Sequence, residues 1–170
     1  AYYQQFIQKN PSSRVGYLWL LEELIADHRL EEAQKACDTL RQLDNSCRVP
    51  YYQGKIFWES GRHQEAETVW LQMLEQHNDD WLAFANMADA MAYACRYDEA
   101  IRYYQKAQEL QPAAHIYEIQ GKYDKAIDSL KEQLEILKKE WNITEGSQVE
   151  HIYSEMERLR RIALTETAHS

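Results

Sequence analysis

The chain has 170 residues, 45% of them hydrophobic and 28% charged, enough apolar material to bury a core as one domain. Its formal net charge of -9 argues against a nucleic-acid backbone as the main partner, and five glycines and three prolines are too few for a disordered chain. No stretch is long and apolar enough to span a membrane. Cys37, Cys47 and Cys95 match no zinc or redox spacing, so free thiols in a reducing, cytoplasmic setting are expected.

Residues 1–11, AYYQQFIQKNP, overlay residues 102–112, RYYQKAQELQP, with Tyr2, Tyr3, Gln4 and Pro11 falling on Tyr103, Tyr104, Gln105 and Pro112. The chain therefore starts within the second helix of a repeat (1–13), and a longer array is expected upstream. A closing position then recurs at Pro11, Asn45, Asn78 and Pro112, in steps of 34, 33 and 34. A helix-entry alanine recurs at Ala33, Ala66, Ala100 and Ala126, in steps of 33, 34 and 26, and one turn later stand Cys37, Trp70, Tyr104 and Leu130. Full repeats are thus expected at 14–46, 47–80 and 81–114. Their helices are predicted near 14–27 and 30–43, 47–60 and 63–76, and 81–94 and 97–110. Pro112 is read as closing the third unit.

The turn segments carry the pattern best: HRLEEA at 28–33, GRHQEA at 61–66, CRYDEA at 95–100 and GKYDKA at 121–126. Gly61 and Gly121 can adopt the left-handed conformation that ends a helix. The acidic residues complement the positive end of the next helix, and the alanine lets that helix pack closely. Gln53–Gly54 is the close-packing pair of the second repeat, whereas the first carries Leu20–Leu21. Pro50 falls in the first turn of its helix, where a missing N–H costs little.

The fourth turn arrives eight residues early, so the repeat at 115–141 is truncated, with a two-turn helix at 113–120 followed by one from Tyr123 to about Trp141. Trp70 and Trp141 are assigned to core stripes. Residues 142–146 form a loop, and Ser147-x-x-Glu150 reads as a capping box. The stripe Val149, Ile152, Tyr153, Met156, Leu159 and Ala163 makes 147–165 a C-terminal capping helix with a charged outer face.

A two-helix period of about 34 residues resembles the tetratricopeptide repeat. The resemblance implies an all-α, right-handed α-solenoid of antiparallel helix pairs, forming a single domain over 1–170. It also implies a concave groove, lined by the first helix of each repeat, that binds a peptide or partner domain. Carried over position by position, the partner-binding set is Glu22, Tyr52, Lys55, Trp58, Asn86, Asp89 and Tyr93. Leu18, Ile25, Tyr51, Glu59, Ala85 and Arg96 flank it, with Glu118 and Lys122 from the short repeat. One subfamily grips carboxylate tails with lysines and asparagines. Leu18 and Glu22 stand where that clamp needs lysine and asparagine, and Asn86 alone fits.

No catalytic constellation is visible: there is no phosphate loop, no CxxC pair and no HExxH. His115 with Glu118, and His151 with Glu155, each offer two ligands without a third, so no metal and no cofactor is expected. The leading expectation is a non-catalytic interaction scaffold, with self-association possible in principle through the open N-terminal end at Tyr2, Tyr3 and Phe6. The alternative is the regulatory or sensory arm of a larger signalling or enzymatic protein, with its groove filled in cis.

Overall fold

The computed structural model describes residues 2–78 and 80–167. Among these residues there are ten α-helices and no strands. They fall into two compact units, one ending at Cys95 and one beginning at Arg96. The first holds α1 (Tyr2–Lys9), α2 (Arg14–Ala26), α3 (Leu30–Leu43), α4 (Arg48–Glu59), α5 (His63–Gln76) and α6 (Trp81–Tyr93). The second holds α7 (Tyr97–Lys106), α8 (Leu110–Ile119), α9 (Tyr123–Glu140) and α10 (Ser147–Thr167).

In the first unit α2 pairs with α3 and α4 with α5, and each second helix also packs on the first helix of the next pair, α3 on α4 and α5 on α6. Tight left-handed turns make these hairpins. His28 (φ 56°) and Gly61 (φ 75°) reverse the chain, and the following amides reach back five residues: Arg29 N–H to the Leu24 carbonyl (2.8 Å) and Arg62 N–H to the Phe57 carbonyl (2.9 Å). The arginine of each turn then forks onto the glutamate three residues on, Arg29 to Glu32 and Arg62 to Glu65, holding both carboxyls below the ordinary range. Both pairs are exposed, so they specify the turn more than they stabilise it.

Packing density explains the small residues. Ala33 and Ala66 are fully buried, as are Cys37 and Trp70 one turn later. A β-carbon on Gly54 would lie 2.0 Å from the Trp70 indole nitrogen, which donates to the Tyr51 carbonyl at 3.1 Å. The indole therefore lies directly on the α4 backbone. Gln53, also buried, exchanges two amide hydrogen bonds with Gln34 (3.0 and 2.8 Å) and accepts from Arg41 at 2.9 Å, so the α3–α4 seam has a satisfied polar lock.

At the start of the unit Phe6 and Ile7 fill the space over Gly16. Tyr3 and Phe6 lean on Trp19, with ring centres 5.6 and 6.2 Å apart, while Tyr2 is 73% exposed.

The second unit corrects two boundaries. Helix α7 ends at Lys106, not at residue 110, because Gln108 turns left-handed (φ 58°) and Glu109 N–H reaches the Tyr104 carbonyl at 2.9 Å. Helix α8 consequently starts at Leu110, three residues earlier than predicted. The buried Gln133 side chain of α9 accepts the Leu110 N–H at 2.8 Å and satisfies that helix end. Pro112 therefore sits in the first turn of α8, where its missing N–H costs little.

Trp141 is also corrected: it is 66% exposed, not core. Asn142 turns left-handed (φ 53°), Ile143 N–H returns to the Leu137 carbonyl at 2.9 Å, and Ile143 takes the place against the core assigned to Trp141. On α10 the buried stripe is Val149, Ile152, Met156 and Leu159, with Tyr153 turned outward at 59% exposure. Gly146 supplies the carbonyl for the Glu150 N–H, and Ser147 is already helical. Ala126 and Leu130 are buried with this stripe.

Thiol chemistry follows the packing. Burial pushes the Cys37 thiol up to about 11 and raises that of Cys47, whereas Cys95 is exposed. A disulfide reagent at neutral pH is expected to label Cys95 rapidly and the other two only on unfolding. Rapid labelling of all three would contradict this packing.

Candidate functional site

Helices α2, α4 and α6 stack side by side in the first unit, α2 on α4 and α4 on α6. Their shared face gathers Glu22, Tyr52, Lys55 and Tyr93, because each turn-to-turn period returns the chain to the same side. Glu22 of α2 reaches α4: it accepts the Tyr52 hydroxyl at 2.8 Å and the Lys55 ammonium at 2.9 Å. Lys55 keeps only 8% of its side chain exposed and lies 5.5, 5.6 and 5.0 Å from the ring centres of Tyr51, Tyr52 and Tyr93. An ammonium held by one carboxylate and three ring faces is well compensated for its burial.

Glu59, at the end of α4, ties the face together from the other side. It accepts the Tyr93 hydroxyl of α6 and faces His28 of the first turn, 3.3 Å from Nδ1. Burial, with Glu22 beside it, pushes the Tyr52 phenol well above the ordinary tyrosine value, and burial with the Glu59 hydrogen bond does the same to Tyr93. Both phenols therefore remain neutral donors throughout the physiological range.

The structure thus brings Glu22, Tyr52, Lys55 and Tyr93 together. Asp89 stands exposed on α6, one turn before Tyr93. Asn86 is buried and donates to the Cys47 sulfur at 3.3 Å, which makes it a link between α6 and the start of α4. Trp58 stands apart from the tyrosines: its indole stacks on His63 at 4.1 Å and on Trp70 at 5.9 Å, within its own hairpin. Of the flanking residues, Ile25 and Ala85 are buried. His28 joins the network without having been singled out in the sequence, where its place in a turn gave no sign of a side-chain role.

In the second unit Glu118 is engaged by Arg158 of α10 through two bonds of 2.7 and 2.8 Å, which hold its carboxyl below the ordinary range. Arg158 also grips Glu155 at 2.8 Å. The two histidine–glutamate pairs thus line one cavity of about 190 Å³ over Leu130, Ile152 and Leu159. Among the described residues no group of three or more histidine, cysteine or acidic side chains is arranged to hold a metal ion. No helix among them is long and apolar enough to cross a membrane.

Successive antiparallel helix pairs, closed by left-handed turns and sealed by small residues, define a helical-repeat protein. Family models described as Tetratricopeptide repeat match residues 81–114 and 113–140. Among solved structures, MamA aligns with a TM-score of 0.50 and 18% identity, over 85% of this chain and 84% of that one. PilF of Pseudomonas aeruginosa aligns with a TM-score of 0.55 and 13% identity, over 89% of this chain and 69% of that one. At such identities the likeness speaks for the fold alone. A search of curated proteins found no match. Residues 81–140 thus match tetratricopeptide repeats, and folds of this kind generally mediate protein–protein interaction.

Proposed function

We propose that the chain is a non-catalytic scaffold whose α2–α4–α6 face binds a peptide or a domain of a protein partner. The observation that carries this reading is the cluster on that face: tyrosine rings and both signs of charge, tied by hydrogen bonds among α2, α4 and α6. Pre-organised aromatic anchors of this kind supply binding energy at little entropic cost. Tyr93 is the anchor, with Trp58 at the flank, Glu22 and Asp89 set charge and register, and the buried Tyr52 and Lys55 hold the face from beneath. Asn86 supports the face from below. The parsing into repeats at 14–46, 47–80, 81–114 and 115–141, with 147–165 as cap, belongs to the same proposal.

The test is retention from a lysate of the native source by the wild-type chain beside a Tyr93→Ala, Asp89→Arg variant. The expected result is a protein held by the first and lost by the second, with helicity by circular dichroism unchanged. Equal retention by both would refute the assignment. We also assign self-association to the aromatic surface of α1 and Trp19. Light scattering should show mass rising with concentration, and Trp19→Ser should flatten that rise; a constant wild-type mass contradicts it.

A further inference from the structure

We infer that the second unit holds a carboxamide site, a cavity at the start of α8 that takes an asparagine or glutamine side chain of a partner polypeptide. It belongs to that unit alone and does not depend on the α2–α4–α6 reading. The cavity, of about 300 Å³, is lined by Gln108, Glu109, Gln111, Pro112, Gln133 and Gln148. Its four glutamines come from four places in the chain: the turn after α7, then α8, α9 and α10.

Gln133 is the most deeply buried of them, 8% exposed, and its orientation is fixed. Its carbonyl oxygen accepts the Leu110 N–H at 2.8 Å, so its amino group is the end left over. That amino group donates to nothing among the described residues. A donor buried to this degree is rarely left without an acceptor, and Gln133 borders the cavity. The partly buried Gln111 and the exposed Gln148 also have carboxamides without partners among the described residues. Gln108 spends only its amino group, on Glu140 at 3.4 Å.

This set selects against charge. No lysine, arginine or histidine lines the cavity, and Glu109 stands in its wall with Glu140 beside Gln108, so an anion meets repulsion. A cation meets the Gln133 amino group, which needs an acceptor. No aromatic ring lines the cavity to stack on a sugar. A carboxamide is neutral, accepts from Gln133 through its oxygen, and donates to Gln111 or Gln148 through its nitrogen. The first unit already contains such a pairing, where Gln34 and Gln53 exchange two amide hydrogen bonds.

The test titrates the full, isotopically labelled chain with two capped octapeptides, one alternating glutamine and serine and one alternating glutamate and serine. The side-chain amide signals of Gln133, Gln111 and Gln148 are followed by NMR. The glutamine peptide should shift all three, that of Gln133 most, and the glutamate peptide none. Gln133→Glu keeps an oxygen for the Leu110 N–H and removes only the free donor, so it should weaken binding about tenfold with helicity unchanged. If that variant does not fold, Gln111→Ala combined with Gln148→Ala carries the same test. Gln64→Ala, at an exposed glutamine of α5, should leave binding unchanged. Equal shifts from both peptides, an unmoved Gln133 signal, full affinity in the cavity variants, or the same loss with Gln64→Ala would overturn the inference.

Discussion

Gly54→Ala is expected to destabilise the first unit by about 3 kcal/mol, at the upper end of what overpacking costs. The reason is the absence of any flexible neighbour. The added methyl would meet the rigid Trp70 indole at 2.0 Å, and that indole is fully buried and donates its N–H to the Tyr51 carbonyl. Relief requires either separating α4 from α5 or turning the indole out, which breaks the hydrogen bond and disturbs the stack of Trp58 on Trp70. A urea titration followed by tryptophan fluorescence measures the loss. A midpoint unchanged from wild type would show that α4 and α5 are not in such close contact. Gly61→Ala, by comparison, meets no neighbour and is opposed only by its left-handed backbone, at about 1 kcal/mol.

The second large effect is an asymmetry. Glu22→Ala is expected to cost about 2 kcal/mol, because it strands the nearly buried Lys55 ammonium and the Tyr52 hydroxyl together. Lys55→Met should cost less than about 1 kcal/mol, since Glu22 is half in water and keeps the Tyr52 hydrogen bond while methionine fills the ring-lined space. The pair is thus not worth the same from its two ends. Denaturant melts of both single variants and the double variant check this; equal losses from the two single changes would contradict the enclosure of Lys55.

The helix pattern was legible because it is periodic. Four turn segments in register placed α2 through α6 within a residue or two, and the entry alanines Ala33, Ala66, Ala100 and Ala126 are all fully buried. What failed depended on partners distant in sequence or on a turn with no glycine. Gln108 adopts a left-handed turn without glycine, and Gln133 caps α8 from 23 residues away. Trp141 looked like core until Asn142 reversed the chain and Ile143 took the place assigned to it.

The site was legible to the level of the face and not of the contacts. Position in the repeat brought Glu22, Tyr52, Lys55 and Tyr93 to one surface, but no spacing rule says that Lys55 lies under the rings. Nor does one say that Trp58 turns toward His63 and stacks on it and on Trp70.

The most direct measurement is site-specific cross-linking. A photoreactive amino acid placed at Asp89, on the proposed face, is compared with one at Glu132, exposed on α9. Irradiation in the native source should attach one protein from the Asp89 position and not from the Glu132 position. Attachment within the same polypeptide would favour a groove occupied in cis. Attachment of the same proteins from both positions, or of none from Asp89, would contradict the account.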